Sequence, residues 1–154
     1  TSRGLGDVYN RQGLQTVSER LPQHTDLFIT STECYGGTIM SHPIKNIEHS
    51  TVLPLAEQVT YQPGQIVSKT LAQNTHHNVT LFAFDKNEEI SAHDSSGDAM
   101  VTVLDGTGRI TIGDTEHILH AGDCIVMPAK IPHAVYALER FKMLLIVLFP
   151  DAQE

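Results

Sequence analysis

From about Val52 onward the chain is cut into short apolar runs of strand length, each closed by a glycine, proline or aspartate turn signal. That spacing constrains the fold more than any other feature, because such runs are too short for stable helices and suit an antiparallel sheet. Residues 65–71 and 78–84 are β-rich. Residues 99–104 follow, Asp105-Gly106-Thr107-Gly108 reads as a turn, and in 109–112 Ile110 and Ile112 alternate with polar neighbours. Gly113-Asp114 is a tight-turn signal that folds residues 116–119 back as a hairpin. Ala121-Gly122-Asp123 leads into 124–127, and Pro128 and Pro132 bracket a loop, since proline cannot donate within a central strand. Residues 135–138 and 141–149 complete the set. The pattern predicts an all-β sandwich or barrel.

The first fifty residues are different. Residues 11–21 place Leu14, Val17 and Leu21 at helical spacing, while 26–30 and 37–40 read as extra strands joined through Tyr35-Gly36-Gly37. The expected division is therefore an N-terminal extension over 1–50, able to pack on a partner subunit, and a barrel over 51–150. With 154 residues, one domain is expected. A net charge of −8 with only 10 Lys and Arg argues against nucleic-acid binding, which needs a basic surface to displace counterions. The longest apolar run, 143–150, is too short to span a bilayer, so no membrane partner is expected. No export signal opens the sequence, and the expected compartment is the cytoplasm. Cys34 and Cys124 show no zinc-like spacing; Cys124, among Ile125, Val126 and Met127, reads as a buried, inert thiol.

Two histidines concentrate the functional signal. His93 closes the run Asn87-Glu88-Glu89-Ile90-Ser91-Ala92-His93, and His133 closes the run that starts at Gly122 and passes Pro128. These runs resemble the two motifs of the cupin family, small β-barrels of the RmlC-like type. In its first motif Asn87 takes the leading glycine place, His93 is the first histidine, Ser95 stands at the second, Ala99 stands at the glutamate, and Gly106 closes. In its second, Gly122, Pro128 and His133 match, while Lys130 replaces a glycine and Ala137 an asparagine. Fifteen residues lie between Gly106 and Gly122, a compact gap typical of single-domain members. The resemblance covers about residues 52–149 and implies a single-domain cupin, a jelly-roll barrel or double-stranded β-helix, with an N-terminal extension.

It also implies a divalent metal ion inside the barrel, of the Fe, Mn, Ni or Zn kind, with His93 and His133 as ligands. Such a site normally takes three or four protein ligands, commonly two histidines and a carboxylate for iron. Ser95 is a poor ligand and Ala99 none. Asp98 is the best replacement, if Gly97 permits a bulge that turns it inward, and solvent exposure or a turn cap is the alternative. His77, at the start of its strand, is the second candidate. His76 reads as a loop residue, and His117 and His120 as exposed residues of the outer hairpin.

Two functions stay open. One is a metal-dependent enzyme acting on a small polar metabolite, the metal polarising a carbonyl or binding oxygen. The other is a metal-free sensor or sugar-binding-like barrel that holds its small-molecule ligand through the same histidines. Metal-free acid–base catalysis of the epimerase kind needs a histidine–carboxylate pair that the sequence does not name. The family's enzymes, storage proteins and regulatory domains share the fold, so fold does not choose. For packing, Leu81, Ala83, Val101, Val103, Ile110, Ile112, Ile125 and Met127 are the expected core. Phe82 and Phe84 are expected to meet a second subunit. Residues 141–148 are apolar on nearly both faces, which calls for cover by the extension or by another copy, and a homodimer is expected.

Overall fold

The computed structural model describes residues 42–150; the expected helix at 11–21, the strands at 26–30 and 37–40, Cys34 and His24 lie outside them. The described residues form seven antiparallel strands: β1 (Ile66–Gln73), β2 (His77–Phe84), β3 (Glu89–His93), β4 (Asp98–Ile112), β5 (Thr115–His120), β6 (Cys124–Met127) and β7 (His133–Leu148). A 3-10 turn, Leu55–Gln58, lies just before them. No helix among the described residues is long and apolar enough to cross a membrane.

The two long strands build the barrel. The first half of β4 pairs with β6 and with the second half of β7, which also pairs with β2, itself flanked by β1. The second half of β4 pairs with β5 and with the first half of β7, which also pairs with β3. Each long strand therefore serves both walls. Asp105-Gly106-Thr107-Gly108, expected to reverse the chain, instead bends one continuous strand. Register shifts occur between Val103 and Asp105 and between Gly106 and Gly108. They move the buried positions from 99, 101 and 103 to 108 and 110, so both halves face the same interior. Gly106 sits at φ +74°, where a Cβ would lie 1.8 Å from the Arg140 carbonyl oxygen, and a Cβ on Gly108 would strike the Phe141 ring. The glycines serve close strand crossing rather than reversal. Likewise 135–138 and 141–149 are one strand. The Gly113-Asp114 hairpin forms as expected, with Ile112 opposite Thr115.

Two apolar layers result. The interior holds Phe82, Phe84, Val101, Ile110, Phe141 and Met143, with Phe84 stacked on Phe141 at 4.6 Å. Phe82 and Phe84 are thus fully buried inside the barrel and not available to a second subunit, while Leu81 and Ala83 face the other way. Alternation along β2 fixes one set once the other is placed, and the aromatic set fills the larger volume. Leu81 and Ala83 are covered by residues 47–61, through Ile47, Leu55, Val59 and Tyr61. Polar contacts hold this strap and the residues just before it. Lys45 N–H donates to the Leu71 carbonyl at 2.7 Å, Lys142 Nζ to the Ala56 carbonyl at 2.7 Å, and the Tyr61 hydroxyl to Asp105 at 2.7 Å. Cys124 is exposed, not buried, because Ile125 and Met127 take the inward places of β6.

Candidate functional site

β3 and β7 are neighbours, and their register sets His93 directly opposite His133. Thirty-nine residues of chain separate them, yet the ring centroids stand 4.6 Å apart at an interplanar angle of 64°. Each ring is anchored in the same way. Nδ1 of His93 lies 2.9 Å from the Ser91 carbonyl oxygen, and Nδ1 of His133 lies 2.9 Å from that of Ile131. A carbonyl only accepts, so Nδ1 carries the proton on both rings and Nε2 of the neutral form carries a lone pair. Burial pushes the His133 imidazolium below its usual range; the Ile131 carbonyl opposes this, the neighbouring His93 adds to it, and Asp94 opposes it.

Both rings line one cavity, together with Ser95, Ala99, Met127, Met143 and a wall of Ile90, Val135, Leu145 and Val147. The polar groups are two imidazoles and one hydroxyl; no lining side chain carries a formal charge when the histidines are neutral. The reachable free space suits a single water or ion, and the cavity is partly open to solvent. Ser95 is buried, and its Oγ accepts the Gly97 N–H at 3.2 Å. Loop 128–132 is fixed behind it, because Lys130 N–H donates to the Ser95 carbonyl at 2.7 Å.

The two further candidate ligands are placed elsewhere. Asp98 is exposed, and its Oδ1 accepts the Ala129 N–H at 2.8 Å, so it caps a loop. β4 starts at Asp98 without a bulge there, alternation turns Ala99 inward, and Gly97 serves close approach to the Leu148 carbonyl. His77 shares strand parity with Val79, Leu81 and Ala83, the face turned away from the interior. His120 is exposed as expected, whereas His117 is half-buried on the inward parity of β5. Sequence reading missed Met127 and Met143 as cavity residues; their i, i+2 relation to Ile125 and Leu145 was the available signal. It also missed Asp94, which acts on His133 from outside the cavity lining.

The donor set tests the metal that the motifs imply. Among the described residues no group of three or more His, Cys, Asp or Glu could hold an ion. Two imidazoles and a hydroxyl without a carboxylate do not match the two-histidine, one-carboxylate set that suits iron, nor the oxygen-rich set that suits manganese.

A family model described as a cupin domain matches residues 80–149. A solved conserved protein of unknown function from Streptococcus pyogenes is 48% identical, with a TM-score of 0.72 over 75% of this chain and 100% of its own. A cupin superfamily protein from Desulfitobacterium hafniense is 34% identical, with a TM-score of 0.67 over 70% of this chain and 98% of its own. A cupin 2 conserved barrel domain protein from Leptotrichia buccalis is 46% identical, with a TM-score of 0.60 over 61% of this chain and 46% of its own. No curated protein matches.

Proposed function

From the premise that the chain belongs to the cupin family, we propose that its barrel binds a small molecule at the His93–His133 pair. The observation that carries this reading is the paired anchoring of Nδ1, which leaves two Nε2 lone pairs on rings 4.6 Å apart in an apolar cavity. Two acceptors among apolar walls suit a ligand with hydroxyl or N–H donors on an apolar body, which must enter through the open side and push wall side chains aside, because the free space as it stands holds only a water. Carboxylates and phosphates are disfavoured beside His133, because burial works against its charged form. The lining also holds no carboxylate to partner a histidine, so binding without catalysis is the reading that fits best.

Calorimetry with p-cresol as probe, in the presence of a chelator, tests this. Saturable binding is expected, weakened about tenfold in His93→Ala, His133→Ala, the worth of the one hydrogen bond that the phenol hydroxyl donates. Benzoate binding as well as p-cresol at neutral pH would sink it. A divalent ion of the Zn or Ni kind is the second reading. The carbonyl anchoring favours it, since metal-ligating histidines commonly donate their other ring N–H in this manner. Under that reading the chelator abolishes p-cresol binding.

A second copy of the chain is the proposed partner. Val126, Met100 and Ile146 lie in register on the outer face of β6, β4 and β7, beyond the strap, with exposed Leu148 close by. Such a patch suits a self-complementary contact.

A further inference from the structure

We infer that Asn78 is a specificity-determining residue at the barrel mouth, where its carboxamide N–H groups take an uncharged carbonyl oxygen of the ligand. The inference rests on the reading that a small molecule meets the histidine pair, and it supplies the other half of that molecule. The ligand class is then a neutral compound with a hydroxyl at one end and a carboxamide-like carbonyl at the other.

Register places the residue. Met127, Ala99, Val147 and Asn78 stand opposite one another on β6, β4, β7 and β2, forming one row across the sheet. The first three line the cavity. Asn78 is the next residue in the row, one strand spacing of about 4.8 Å beyond Val147. β2 pairs with β7 without a register shift, so Asn78 and Thr80 share the parity of Phe82 and Phe84, which fill the interior. Val79 and Leu81 pack on the strap side instead. A contact within β2 agrees, because the Thr80 hydroxyl donates to Asn78 Oδ1 at 2.8 Å. The row marks one end of the barrel: β2 and β4 begin there, and β6 and β7 end there. His93 and His133 line the same cavity from the other wall, and packed sheets stand about 10 Å apart. A ligand of one ring with a polar group at each end spans that gap.

The carboxamide has an unmet need. Asn78 is 8% exposed and its oxygen is occupied by Thr80, yet its Nδ2 has no hydrogen-bond partner. Among the described residues, the one fully enclosed side-chain N or O atom without a partner is Arg109 Nε, so Asn78 Nδ2 reaches open space. Buried amide donors are rarely left unpaired. The row carries no charged side chain, so a neutral carbonyl oxygen suits these donors better than a carboxylate, whose desolvation nothing in the row offsets.

Calorimetry on the full chain compares p-cresol with 4-hydroxyphenylacetamide, which carries a carboxamide on the same methyl carbon. Wild type is expected to bind the amide about tenfold more tightly, the worth of one added hydrogen bond. Asn78→Asp keeps an acceptor for Thr80 and removes both N–H donors; Asn78→Ala removes the group without adding charge. In each variant the two probes should bind within about twofold of each other. Equal affinities in wild type, or a preference that survives either substitution, would overturn the inference and leave the histidine reading standing. If the amide preference depends on Asn78 while His93→Ala, His133→Ala weakens neither probe, the histidine reading falls and the role of Asn78 stands. Binding of neither probe removes both.

Discussion

His133 shows most clearly how position decides chemistry. It is 4% exposed, and burial disfavours its charged form. The folded chain therefore binds fewer protons at this site than the unfolded chain between the depressed value and about 6.5, the unperturbed imidazole range. Unfolding takes up a proton in that window, so stability is retained above it and declines as pH falls through it. Urea midpoints measured from pH 8 to 5 should drop in the acid half for the wild type and less for His133→Gln; identical profiles would contradict the assignment. The same residue marks what the sequence alone makes legible. His93 and His133 were legible because motif spacing placed them. Asp98 was not, since its side chain was assigned from a bulge that β4 does not make, and the orientation of one residue at a strand start is set by contacts from residue 129, distant in sequence. Met127 and Met143 were illegible as site residues for another reason: in a strand, an apolar cavity wall and a packed core read identically.

At the scale of elements, the strand series was legible and the corners were not. Asp105-Gly106-Thr107-Gly108 carries the composition of a reverse turn, yet the same glycines serve a strand that crosses another at close range. Gly106→Ala should destabilise by about 3 kcal/mol or more, since both the positive φ and the Arg140 carbonyl oppose a Cβ; chemical denaturation checks this. Two motif departures behave in opposite ways. Asn87, at φ 69°, tolerates the left-handed region where the family pattern has glycine. Lys130, at φ 64°, lacks that tolerance. Lys130→Gly should stabilise by roughly 0.5–1 kcal/mol, the left-handed penalty less the extra entropy glycine loses on folding. A loss of stability instead would show that the lysine side chain makes a contact of its own. Phe82 and Phe84 complete this scale. Period two showed that β2 has two apolar faces but could not say which was inside, and burial of the larger rings settled it.

At the scale of the whole molecule, the described residues form one barrel with a strap over one wall, and that layout sets where the proposed contact with a second copy would lie. The strap covers the outer wall around Leu81 and Leu144 and stops short of Val126, Met100 and Leu148. If two copies join there, Met100→Lys, Val126→Lys should convert a dimer to a monomer in sedimentation velocity while leaving p-cresol affinity unchanged; a wild-type monomer at micromolar concentration would remove the proposal. The central claim is the proposal that the two imidazoles share the Nδ1–H tautomer and meet a ligand through Nε2 in one cavity. Long-range proton–nitrogen NMR of histidine-labelled protein at pH 7.5 reads this directly. The account predicts Nδ1–H tautomers for both His93 and His133, and Nε2 resonances that shift together as p-cresol is added. Protonated Nε2 on either ring, or resonances indifferent to the probe, would contradict it.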